Sequence, residues 1–65
     1  MTEPMLQFFE RKELPESLRE VAEDFHNMAQ VIVETLPRNP ERTVALRKLL
    51  EASDAALRAK LWRET

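Results

Sequence analysis

Apolar residues recur at intervals of three and four in two long segments of the chain, a spacing that places them on one side of an α-helix. The first segment runs from about Pro15 to Leu36, and its stripe comprises Leu18, Val21, Phe25, Met28 and Ile32. The second runs from about Pro40 to Trp62, and its core-facing positions are Leu46, Leu49, Leu50, Ser53, Ala56, Leu57 and Leu61. The pattern therefore predicts an all-α protein built on two long helices.

The stretch between the two segments predicts a sharp joint. Leu36-Pro37 marks the end of the first helix, because proline cannot continue it. Pro40 suits the first position of the second helix, where no N–H is needed and φ is already helical. Asn39 is then the expected N-cap. A turn of three residues, Pro37-Arg38-Asn39, makes the helices antiparallel, so we expect a helical hairpin.

Residues 1–14 precede the hairpin domain of residues 15–65 and form a short N-terminal arm. Its apolar run, Met5-Leu6 and Phe8-Phe9, is too short to be assigned to a helix or a strand. The favoured interpretation is that Phe8 and Phe9 cover the open end of the helical core. The alternative is an arm that packs on a neighbouring subunit.

The size of the chain favours self-association. A chain of 65 residues without cysteine buries little apolar surface and has no disulfide to stabilise it. One hairpin would leave Val31, Val33, Leu36 and Leu61 largely uncovered. We therefore expect an obligate helical homo-oligomer. No apolar run is long enough to cross a bilayer and no leader pattern opens the chain, which predicts a cytoplasmic protein with no membrane partner.

Charge is distributed unevenly around a net value of −2. Residues 1–37 hold eight acids and three bases, whereas residues 38–63 hold three acids and seven bases. The candidate ligand-binding residues lie at and after the joint, and they are Arg38, Arg42, Thr43, Arg47 and Lys48. A helix N-terminus with guanidinium groups and a hydroxyl suits a phosphate. The alternative is that these arginines pair with acids of the first helix or of a neighbour.

Other chemistry is poorly supported. His26 is the single histidine, and no serine or cysteine stands beside it at helical spacing. The Glu23-Asp24 pair lacks the Glu-x-x-His pattern of di-iron bundles. We therefore expect no enzyme, no metal and no cofactor. DNA binding is disfavoured because the chain is acidic overall and its helices are long for a two-helix DNA reader.

The polar positions resemble those of a known family, the small phage proteins that act as anti-CBASS and anti-Thoeris nucleotide sponges. The resemblance covers about residues 25–59. It rests on Phe25-His26-Asn27-Met28-Ala29, on Glu34-Thr35-Leu36-Pro37, and on Glu41-Arg42-Thr43, Ala45-Leu46, Lys48-Leu49 and Glu51-Ala52. The chain departs from the family pattern at Leu50, where the first of two paired acids is usual, and at Asp54-Ala55-Ala56, where a tryptophan is common.

The resemblance implies a bacteriophage protein whose hairpins form homo-oligomers, typically hexamers, in the host cytoplasm. Such proteins bind cyclic oligonucleotide signals of host defence and catalyse no reaction. Glu41, Arg42, Thr43 and Lys48 are the polar positions that fit the motif. Since the chain has no tyrosine to stack the bases of a cyclic dinucleotide, a cyclic trinucleotide is the favoured ligand. The alternative function is a helical oligomeric interaction or structural protein with no nucleotide ligand.

Overall fold

The computed structural model describes residues 3–63, and these residues form helices and connecting turns with no strand. A 3₁₀ helix, Pro4–Phe9, which we call the arm helix, is followed by two α-helices: α1 spans Glu16–Thr35 and α2 spans Pro40–Lys60. The two α-helices pack against each other, and the arm helix contacts both. The prediction of an all-α protein with two long paired helices is confirmed, with bounds within two residues of those expected.

The joint between the helices is capped as the sequence predicts. The side-chain Oδ1 of Asn39 accepts a hydrogen bond from the Arg42 N–H at 2.8 Å, and Pro40 occupies the first turn. At the other side of the joint, the Leu36 N–H donates to the carbonyl of Ile32 at 3.1 Å and closes the last turn of α1. The short turn that follows brings α2 back along α1.

The buried side of α1 includes most of the predicted stripe, with two alanines beside its members. Leu18, Ala22 and Ala29 are buried, whereas Met28 is 50% exposed. Val21, Phe25 and Ile32 are only half-buried. Ala29 packs with Leu46 of α2 and with Phe9 of the arm helix, and the half-buried Phe25 and Ile32 pack against this cluster.

The predicted core positions of α2 are largely confirmed. Leu46, Ser53 and Leu57 are buried, and Leu49, Leu50 and Ala56 are half-buried. Leu61 is the exception at 61% exposed, because it caps the C-terminus of α2 beyond the packed turns. Of the alanines in α2, Ala45 and Ala56 are half-buried and Ala52, Ala55 and Ala59 are exposed. The buried small residues are instead Ala22 and Ala29 of α1 and Ser53 of α2.

The arm helix completes the core through one of its two phenylalanines. Phe9 is 2% exposed and packs with Ala29 and Leu46, which are both fully buried. Its neighbour Phe8 is 51% exposed. The expectation that both rings cover the core is therefore right for Phe9 and wrong for Phe8.

Several large apolar side chains are exposed in the single chain. They are Phe8, Met28, Val31, Leu36, Leu61 and Trp62, each between 46% and 73% exposed. Among the described residues, neither long helix is apolar enough to cross a membrane.

Candidate functional site

The joint of the hairpin gathers the basic residues that the sequence singled out, but not in one environment. Arg38 lies in the turn, and Thr43, Arg47 and Lys48 lie in the first half of α2; all four are exposed. Arg42 lies among them in sequence and is only 8% exposed. The candidate site thus divides into an exposed basic group and one buried guanidinium.

The Arg42 guanidinium points into the protein and joins three parts of the chain. Its Nη1 donates to the carbonyl oxygens of Val33 and Leu36, both at 3.2 Å, at the C-terminal end of α1. Its Nη2 donates to Oε2 of Glu3 at 2.7 Å. A cation at the C-terminal end of a helix satisfies carbonyls that have no partner within that helix. Arg42 therefore holds α1, α2 and the arm together.

In the single chain Arg42 is buried in an ion pair, in line with the alternative interpretation, and ligand binding by Arg42 stays a prediction. The partner of Arg42 is Glu3 of the arm. The alternative had expected an acid of α1 or of a neighbouring subunit. Both side chains are 8% exposed. Removing one member of such a buried pair costs about 3–5 kcal/mol, because the other charge is left without compensation.

The N-terminus of α2 offers fewer free donors than the sequence suggested. Pro40 has no N–H, the Arg42 N–H is taken by the Asn39 side chain, and the Thr43 N–H donates to the Asn39 carbonyl at 3.3 Å. The backbone there is therefore largely satisfied internally. Any anion at this end of the hairpin would have to be bound mainly by side chains.

The exposed basic group extends from the turn into the first half of α2. Thr43 and Arg47 are separated by four residues and lie on one face of the helix, whereas Lys48, the next residue, points to a different side. The ammonium group of Lys48 lies 3.8 Å from the Glu51 carboxylate, with both side chains more than 60% exposed. A pair this exposed contributes little to stability, so Lys48 is available to a stronger anionic partner.

The arm supplies the contacts that sequence reasoning missed. Glu3 both pairs with Arg42 and caps the arm helix, because its Oε1 accepts from the Met5 N–H at 3.4 Å. A second tether joins Arg11 to Asp54 of α2 at 2.6 Å. The sequence contains a signal for this cap, because Glu3 precedes Pro4 in the same way that the N-cap Asn39 precedes Pro40.

The single histidine lies away from the exposed basic group. His26 is half-buried and lines a cleft of about 260 Å³ between the arm segment and α1, together with Phe9, Arg11, Lys12, Arg19 and Glu23. Among residues 3–63, no group of three or more histidine, cysteine or acidic side chains is arranged to hold a metal ion. The cleft mixes charges of both signs and defines no single ligand class.

Comparison with known proteins adds no relative: no protein-family model, curated protein or solved structure matches the chain.

Proposed function

We propose that the protein is a phage-type anti-defence protein that binds cyclic oligonucleotide immune signals in the host cytoplasm and withholds them from their effectors without catalysis. The signal class comes from the resemblance of residues 25–59 to the sponge family. Within that class a cyclic trinucleotide is favoured over a dinucleotide, because the chain offers no tyrosine for stacking.

The observation that carries the proposal is the exposed basic group at the joint. Arg38, Arg47 and Lys48 present three exposed cations in the turn and the first half of α2, and the Thr43 hydroxyl among them donates to the Asn39 carbonyl at 3.5 Å. Phosphates are bound by such side chains through charge-assisted hydrogen bonds, which are worth about 1.5–3 kcal/mol each. The protein as a whole carries a net charge of −2, so its overall charge does not attract polyanions. Any attraction for phosphate is local to the exposed basic group.

We further propose that several hairpins assemble around the ligand. Support comes from three apolar side chains, Met28 and Val31 of α1 and Leu36 at its C-cap. Each of the three is 46–50% exposed. Fully burying side chains of this size contributes roughly 1.5–3 kcal/mol each. Repeated copies of one basic residue around a symmetry axis would match the repeated phosphates of a cyclic ligand. Six subunits is the number that the resemblance suggests.

The test is native mass spectrometry of the purified protein with cyclic di- and trinucleotides, which measures the assembly and the bound mass together. We expect a homo-oligomer that retains a cyclic trinucleotide. The double variant Arg47→Ala/Lys48→Ala should weaken binding at least tenfold, since each lost contact is worth more than about 1.4 kcal/mol. The matched control Arg58→Ala/Lys60→Ala removes the same charge from the far end of α2 and should leave binding unchanged.

The second candidate function, an interaction or structural protein without a nucleotide ligand, is favoured by the exposure of Trp62 at 73% and Leu61 at 61%. Aromatic and aliphatic side chains exposed together commonly mark protein contacts. If the wild-type oligomer retains no cyclic nucleotide, or if both double variants bind equally well, the nucleotide proposal is wrong. The interaction function then takes its place.

A further inference from the structure

The Arg42 guanidinium is buried but not fully satisfied. Its Nη1 is used by two carbonyls of α1 and its Nη2 by Glu3. Its Nε is also buried, and it has no hydrogen-bond partner within the described residues. A buried N–H without an acceptor is costly, roughly 1–3 kcal/mol, and it calls for an explanation.

The explanation lies in how Glu3 binds. The edge of a guanidinium that carries Nε and Nη2 ordinarily receives two oxygens of one oxyanion. Glu3 supplies one, because its Oε2 meets Nη2 at 2.7 Å while its Oε1 turns to the Met5 N–H at 3.4 Å. One carboxylate thus serves as both cap and counter-ion. Half of the anion-binding edge of Arg42 is left without an oxygen.

We propose that this edge of Arg42 is a phosphate-binding site that the arm's own Glu3 occupies in the free protein. A phosphate group places two oxygens on one phosphorus atom and can satisfy Nε and Nη2 together, which Glu3 does not. Binding would displace Glu3, and the arm would act as an internal competitor of the ligand. This inference rests on the proposed function, since it adds Arg42 and its regulation to the exposed basic group.

The surroundings of Glu3 allow the exchange. Glu3 also lines an open cleft of about 370 Å³, bordered by Pro4, Leu6, Gln7, Glu10 and residues of α1, so free space adjoins the side chain. Loss of the Glu3 contacts removes both the cap of the arm helix and one of its tethers. Phosphate binding should therefore loosen the arm near Met5, while Phe9 and the Arg11–Asp54 pair still hold its far end.

The experiment follows the Arg42 Nε–H and the arm amides by nuclear magnetic resonance while inorganic phosphate is added to the wild-type protein. We expect the Nε–H signal to shift with saturation and the amides of Met5 and Leu6 to exchange faster. Glu3→Gln keeps the size of the side chain and its cap oxygen but removes the competing charge. It should lower the phosphate dissociation constant about tenfold, the equivalent of one charge-assisted contact.

The matched control is Glu13→Gln, which removes one exposed acid from the same segment without touching Arg42. It should leave the dissociation constant unchanged. The proposal is overturned if saturating phosphate leaves the wild-type Nε–H signal in place, or if Glu3→Gln binds phosphate no more tightly than Glu13→Gln. Should Glu3→Gln unfold, the wild-type titration decides alone, since it requires no substitution.

A parallel titration with a cyclic trinucleotide separates this proposal from the proposed function. If phosphate shifts the Nε–H signal and no cyclic nucleotide binds, Arg42 is a phosphate site and the nucleotide function fails. If the nucleotide binds while the Nε–H signal and the Met5 amide stay unchanged, the function stands and the displacement of Glu3 is wrong. Shifts with both ligands support the two proposals together.

Discussion

Replacing Phe9 with alanine should test the structural role of the arm, because the adjacent Phe8 provides a control of the same chemistry. Phe9 is 2% exposed and packs with Ala29 and Leu46, whereas Phe8 is 51% exposed. Truncating a buried phenylalanine to alanine costs about 3–5 kcal/mol. A chain of this length has a total stability of about 3–10 kcal/mol. Phe9→Ala should therefore remove a large part of the stability, and Phe8→Ala less than about 1 kcal/mol.

The measurement is urea unfolding followed by helical circular dichroism, with both variants and the wild type at the same protein concentration, because self-association adds to apparent stability. With a denaturant slope of about 1 kcal/mol per molar urea for a small protein, Phe9→Ala should lower the midpoint by about 3 M or leave the protein unfolded in water. Equal losses for the two variants, or a larger loss for Phe8→Ala, would refute the assignment of Phe9 to the core.

Three further substitutions probe the helix pair, each by thermal or urea unfolding with circular dichroism. Asn39→Ala removes the N-cap of α2 and should cost about 1 kcal/mol; no loss would contradict the cap. Ala29→Leu should cost about 1–3 kcal/mol by overpacking the helix contact, whereas the exposed Ala55→Leu should be neutral. Arg42→Met should cost about 3–5 kcal/mol, and adding Glu3→Gln should recover part of it, because the unpaired buried charge is removed. If Arg42→Met and the double variant Arg42→Met/Glu3→Gln were equally stable, the buried pair would be contradicted.

The sequence by itself determined the helices and their ends. Apolar spacing of three and four, proline after Leu36 and the Asn39-Pro40 cap act through neighbours within one turn of the chain. Such local effects can be evaluated without knowing what packs on the helix, so the bounds of α1 and α2 were predicted within two residues. The same local logic applies at Glu3-Pro4, where Glu3 caps the 3₁₀ helix of the arm.

The tertiary structure alone decided which member of the α1 stripe stays exposed and what Arg42 does. Met28 belongs to the predicted stripe and is 50% exposed, whereas Ala22 and Ala29, which lie outside the stripe, are buried. Arg42 belongs to a basic sequence cluster, yet its charge is compensated by Glu3, which lies 39 residues away. Pairings across such a separation depend on how the arm folds back over the hairpin. Local sequence pattern cannot specify which acid pairs with Arg42, because several acids could reach it equally well until the chain is packed.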